Sequence, residues 1–407
     1  MLLFFYMKNK NFILGIVNGI LFFFSATFIS SSTILPVFIS KFTSSSFVLG
    51  LVAAIEATGW QLPQAFVAKY LEDKKYKKFM YIIPSYIRFG AIFLIAILTF
   101  RVINISHYLV IFLLLYSIYL LGGGVAGISF MDIVSKVIPP RKRGSFWGYR
   151  MGIGGILALM GGYAAKVILG EVAFPKNYAL LFLIASISVF IAISCFSAVD
   201  EPPEMHIKKK RSYKSFFKNG IDVFSKDKNF KTLFIIRALY ALFFMSIPFY
   251  IIYIKSSFSL PDSYVGYFII AQMTGYVLSN LVWSRLSNRS LNALVIRLSS
   301  ICLFLTAIST ILGVKFVVNY LFLLVPFLFL GMGITGMNTG YLNSLLAIAP
   351  EENRQLYLGI FNTMLVPFLI SPPLAGYVIK YISYTGLFIF ASVVAISMTV
   401  FSFVLNK

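Results

Sequence analysis

The chain has 407 residues, of which 59% are hydrophobic and only 12% charged, and its formal net charge is +22. Apolar runs of about 20 residues recur along it, the length an α-helix needs to cross a hydrocarbon core of roughly 30 Å. That composition excludes a soluble multidomain protein. It also removes nucleic acid as the reason for the basic excess, because cytoplasmic loops of membrane proteins collect Lys and Arg.

Taken in order, the apolar runs predict twelve spans. They lie at about 11–40, 46–70, 79–100, 108–137, 146–169 and 178–198, then 232–254, 263–285, 293–313, 320–348, 356–380 and 385–404. Lys8 and Lys10 before the first run imitate a secretory signal, but no small-residue cleavage site follows, so a retained helix is expected, with Met1 or Met7 as the start. An even number of spans puts both termini on one side. Most of the 35 basic residues fall on that side, whereas the other receives Lys41, Arg101, Lys166, Lys176, Lys255, Lys315 and Lys380. The asymmetry predicts a cell-membrane protein with cytoplasmic termini. The polar interval 199–231 is the one candidate linker. It carries Lys208, Lys209, Lys210 and Arg211, then Phe216, Phe217, Ile221 and Phe224 at near-helical spacing. That pattern suits an amphipathic segment on anionic membrane lipids or, more plainly, a basic tether.

The two halves repeat one another. Gly50-x5-Glu56-x-Thr58-Gly59-Trp60 returns as Gly266-x5-Gln272-x-Thr274-Gly275-Tyr276. Leu35-Pro36-x-Phe38-Ile39 returns as Ile247-Pro248-x-Tyr250-Ile251, and Gly122-x-Gly124-x2-Gly127 as Gly331-x-Gly333-x2-Gly336. Arg143-x4-Gly148 has its echo in Arg354-x4-Gly359. Four matches in one order imply duplication: an all-α membrane protein of twelve transmembrane helices in two pseudo-symmetric six-helix bundles, 1–198 and 232–407. Parallel repeats of this kind are a transporter architecture with a substrate site near the midplane.

The run Lys69-Tyr70-Leu71-Glu72-Asp73-Lys74-Lys75-Tyr76-Lys77-Lys78 resembles the helix 2–3 loop signature of the major facilitator superfamily, with Lys69 and Tyr76 in place of its two glycines. Leu286-Ser287-Asn288-Arg289 repeats it more weakly. Asp132-x6-Pro139-Pro140-Arg141-Lys142-Arg143-Gly144-x3-Gly148-x-Arg150 resembles the helix 4–5 junction of many bacterial members. The resemblance implies that superfamily's fold and alternating access. The Gly-Pro step of its antiporter motif is missing from helix five.

Glu56 and Asp132 are the acids inside spans. An ionisable group in lipid usually faces a bundle interior or wet cavity and marks a pathway. Glu56 and Arg88 each lie ten residues, about 15 Å, in from a membrane face, so they are expected to meet, directly or through substrate. Glu56 could then carry a proton; the alternative is a static pair fastening two helices. Trp60 and Gln64 share the face of Glu56, and Gln272 and Tyr276 repeat it, which suggests a polar-aromatic cavity lining rather than plain packing. Asp73, Lys74, Asp132, Arg143, Arg150, Asn288, Arg289 and Arg354 are the candidate cytoplasmic gate. The glycine triplets match a dinucleotide fingerprint but lie inside membrane helices, where small residues let backbones approach. No metal or other cofactor grouping stands out.

The expected function is secondary active transport of a small organic solute, with protons as a possible coupling partner, by a monomer that binds no nucleic acid. Efflux of amphipathic compounds and uptake of a metabolite both stay open, with a slight lean toward apolar cargo. The rivals are a membrane enzyme acting on lipid-linked substrates, for which short outer loops leave no room, and a non-transporting sensor or scaffold.

Overall fold

The computed structural model describes residues 2–71, 73–101, 105–204, 227–316, 320–349 and 354–405, and every regular element among them is helical. The expected linker segment around Lys208–Phe224 therefore lies outside the described residues. The helices of the first half are α1 (Leu2–Phe28), α2 (Ile34–Ser40), α3 (Ser46–Gln61), α4 (Gln64–Leu71), α5 (Phe79–Phe100), α6 (Ile105–Val137), α7 (Pro140–Glu171) and α8 (Lys176–Ser197). Those of the second are α9 (Lys228–Phe244), α10 (Ile247–Ser257), α11 (Tyr264–Asn288), α12 (Asn292–Phe316), α13 (Val325–Ile348), α14 (Arg354–Leu369), α15 (Leu374–Tyr381) and α16 (Tyr384–Ser402).

Among the described residues, 11 helices are long and apolar enough to cross a membrane. The remaining expected span, 46–70, is present as α3 and α4, of 16 and 8 residues, separated at Leu62-Pro63. Proline cannot donate the hydrogen bond that would continue α3. Its carbonyl instead accepts from Val67 N at 2.9 Å and starts α4.

The same logic breaks three other spans. Pro36 lies in the first turn of α2 and Pro248 in the first turn of α10, where a missing N–H costs nothing because those donors have no intrahelical acceptor. The repeated Leu/Ile-Pro pair thus marks equivalent breaks in the first and seventh spans. Pro372 and Pro373 separate α14 from α15 in the same way.

The chain forms two compact units, residues 1–30 with 59–211, and residues 31–58 with 212–407. In the first, α1 packs on α7 and α8, and α5 on α6 and α8. Its core at one end gathers Tyr81, Ile133, Val134, Phe146, Ile193 and Phe196. In the second, α13 packs on α11 and α12, α16 on α9 and α12, and α2 on α10. Stacked rings fix several of these contacts: Phe268 on Phe327 at 4.5 Å, and Tyr250 on Phe388 at 4.6 Å.

The glycine triplets are packing devices in both units. A side chain at Gly124 would strike the carbonyl of Trp60, and one at Gly331 the carbonyl of Gln272. Close backbone approach of α3 and α6, and of α11 and α13, therefore requires glycine.

Candidate functional site

In the first unit, Arg88 projects from the middle of α5. It donates to Tyr119 Oη at 2.9 Å, and its guanidinium lies 4.4 Å from the ring centre of Tyr119, 4.9 Å from Phe22 and 5.9 Å from Trp60. Aromatic faces attract a weakly hydrated guanidinium, so the charge is held without a carboxylate among these contacts. Trp60 reaches this place because Gly123 and Gly127 of α6 leave room for its ring. Its side chain remains 41% exposed. Of the expected residues, Arg88 and Trp60 come together, joined by the unexpected Tyr119 and Phe22. Gln64 is half-buried at the start of α4.

In the second unit, Gln272 is buried and its Oε1 accepts a hydrogen bond from Ser32 Oγ at 3.0 Å, next to the break between α1 and α2. Tyr276 is half-buried one turn further along α11. Glu56 is half-buried and within electrostatic range of Tyr240 on α9. Beside Tyr240 lies Arg237. Its guanidinium is 4.8 Å from the Tyr240 ring centre and 4.5 Å from that of Tyr341, and it donates to Asn338 Oδ1 at 3.1 Å. Tyr341 Oη in turn donates to Asn362 Oδ1 at 2.9 Å.

Arg237, Asn338, Tyr341 and Asn362 were not singled out from sequence. The signal was there for one of them, since Arg237 is a base inside the apolar run 232–254. Glu56 and Arg88 belong to different units.

The candidate gate residues go to several places. Asp132 pairs with Lys77 Nζ at 2.7 Å and with Lys136 Nζ at 3.1 Å. Glu201 and Glu204 complete the cluster: Lys136 reaches Glu201 at 3.0 Å and Glu204 at 3.2 Å, while the Glu201 carboxylate also accepts from the backbone N–H groups of Lys77 and Lys78. The start of the linker is thereby fastened to the α4–α5 turn and to α6. Asp73 and Lys74 pair with each other at 3.7 Å, and Lys74 lies over the Tyr70 ring. Arg143 donates to the carbonyls of Ser135 and Ile138, closing the C-terminal end of α6.

Arg150 departs most from its expected place at a helix end. Pro140 starts α7 six residues before the predicted boundary, so Arg150 is nearly three turns inside the helix. It is buried, donates to Gly15 O and to Asn18 Oδ1, and is enclosed by Phe130, Phe146 and Trp147. Asn288 ends α11 and Arg289 follows it as the cap, while Arg354 opens α14.

No curated protein sequence matches the chain. Residues 232–407 match the sequence profile of the Major Facilitator Superfamily. A mutant form of the nucleoside transporter NupG is similar in fold, with a TM-score of 0.74 at 14% identity, covering 98% of this chain and 100% of that one. A POT family transporter in complex with a thioalcohol-conjugated peptide gives a TM-score of 0.69 at 13% identity, covering 97% and 96%. Residues 232–407 thus carry the Major Facilitator Superfamily profile, and the helical fold, with four spans broken at prolines and glycine-packed helix pairs in both halves, is similar to that of these transporters.

Proposed function

We propose that the protein moves a small organic solute across the cell membrane by alternating access, with both termini in the cytoplasm. The observation that carries this reading is that an arginine of each unit, Arg88 or Arg237, lies inside an apolar helix only half-buried and in no ion pair among the described residues. A lone charge in a membrane helix is expensive and marks a pathway. The solute-facing groups we assign are Glu56, Trp60, Gln64 and Arg88 from the first half of the sequence, and Gln272, Tyr276 and Arg237 from the second.

Glu56 is assigned the coupling role: an acid at mid-depth that takes a proton from one side and releases it to the other. The cluster of Lys77, Asp132, Lys136, Glu201 and Glu204 is assigned to the inner end, where it tethers the linker. Ion pairs of this kind suit a two-state latch. The similar structures bear on cargo only in that a nucleoside and a peptide are both polar organic solutes.

Solute flux into proteoliposomes, with and without an imposed pH gradient, tests the reading. Uptake that responds to the gradient in the wild type and ignores it in Glu56→Gln is expected. No flux of any solute would remove the transport assignment, and wild-type coupling in the variant would remove the role of Glu56.

A further inference from the structure

We propose that Arg237 is a carboxylate-binding group, so that the transported solute carries a carboxylate. This rests on the transport reading and names its substrate class.

The sequence places Arg237 nine residues into α9 and about five residues, or roughly 8 Å at 1.5 Å per residue, inside the apolar run that begins at 232. A guanidinium does not lose its charge there, because it cannot be deprotonated in a protein. It needs compensation of another kind. Tyr240 and Tyr341 supply part of it through their π-faces. Both rings are themselves buried, Tyr240 at 5% and Tyr341 at 8% exposure, and Tyr341 is further fixed by its bond to Asn362. The flanking rings are rigid.

Arg237 itself is only half-buried. Its guanidinium carries five N–H donors in a fixed fork. Among the described residues it gives one hydrogen bond, to Asn338, which is itself exposed although most of its neighbours on α13 are buried. The ion pairs of the described residues in this unit join Lys41 and Lys255 to Asp262 and do not include Arg237. A rigid fork with open donors, held in a low-dielectric layer, fits a planar anion that accepts two parallel hydrogen bonds. A carboxylate does this. A neutral amide of the same shape offers one acceptor and two donors, and its donors would confront the guanidinium.

The aromatic surroundings suggest an aryl acid as probe. The test compares phenylacetate with phenylacetamide, first by thermal shift of the purified full chain and then by uptake of each radiolabelled compound into proteoliposomes. Phenylacetate is expected to raise Tm and to be taken up, while the amide does neither. Arg237→Gln should abolish the phenylacetate shift, Arg237→Lys should weaken binding roughly tenfold through loss of the two-point fork, and Asn338→Ala should weaken it less. Equal response to acid and amide, no response to the acid, or a phenylacetate shift retained in both Arg237 variants would overturn the inference. If Arg237→Gln does not fold, the Asn338→Ala and Arg237→Lys comparisons decide. Phenylacetate binding without uptake would break the transport reading and leave the carboxylate site standing. Uptake of acid and amide alike would do the reverse.

Discussion

Arg150 of the first unit and Arg237 of the second are both arginines within membrane helices, and both are flanked by aromatic rings. They differ in what meets the edge of the guanidinium. Arg150 is 6% exposed and gives its hydrogen bonds to Gly15 and Asn18 of the neighbouring helix. Asn18 continues the network to Tyr81 at 3.0 Å and to the Ala192 carbonyl at 2.9 Å. Arg237 is half-buried, and the acceptor it is given is the exposed side chain of Asn338. The lesson is that an aromatic cage by itself does not distinguish a structural arginine from a binding one. The destination of the N–H edge does.

The largest effect should come from breaking the sealed member of the pair. Arg150→Met leaves Asn18 short of a partner and a poorly filled space among three rings. It should cost about 3 kcal/mol of stability, read as a lowered Tm, with little solute specificity in the loss. Arg237→Gln should do the opposite: Tm nearly unchanged and carboxylate uptake reduced by at least about tenfold. If both variants lower Tm equally, the distinction between the two arginines fails.

A smaller effect is expected at the charged end of the first unit. Lys136 is the hub of an ion cluster in which Asp132, Glu201 and Glu204 all lie within 3.2 Å of its ammonium. A double-mutant cycle between Lys136→Met and Glu201→Gln should show a coupling of roughly 1–2 kcal/mol, and additivity would mean that the linker is not fastened there.

The smallest effect belongs to Asp262, outside the spans, which lies 3.0 Å from Lys41 and 2.7 Å from Lys255. Burial raises its pKa, but the two ammonium groups outweigh burial and hold it below the ordinary value. A depressed carboxyl stabilises the fold above the unfolded pKa and loses that contribution as the pH falls through the folded one. Tm should therefore carry a small Asp262-dependent drop below about pH 4, absent in Asp262→Asn. At neutral pH the variant should cost no more than about 1 kcal/mol, since Lys41 is well exposed.

Most of the architecture was legible in the sequence because membrane helices are written in local terms. Apolar length gave the spans and the repeated glycines the tight helix pairs, whereas the breaks at Pro36, Pro63, Pro248 and Pro372–Pro373 divide runs whose apolarity is continuous. What escaped was non-local or depended on where a helix begins. Glu201 and Glu204 lie more than 60 residues from Asp132 and from Lys136, and no periodicity announces that the chain after α8 returns to them. Apolarity alone starts the fifth span at 146 and puts Arg150 near its end, whereas Pro140 starts α7 six residues earlier. Arg237 went unassigned for a different reason: its partners are aromatic and amide side chains on α9 and α13, so no opposite charge in the sequence pointed to it.

The hydrogen bond from Tyr341 to Asn362 ties one wall of the Arg237 housing to α14. Any shift of α14 would drag that ring and change how firmly the guanidinium is gripped. Free-energy linkage works in both directions, so an anion tightening the grip must also bias the position of α14. Site occupancy and helix placement would then be two readings of one equilibrium.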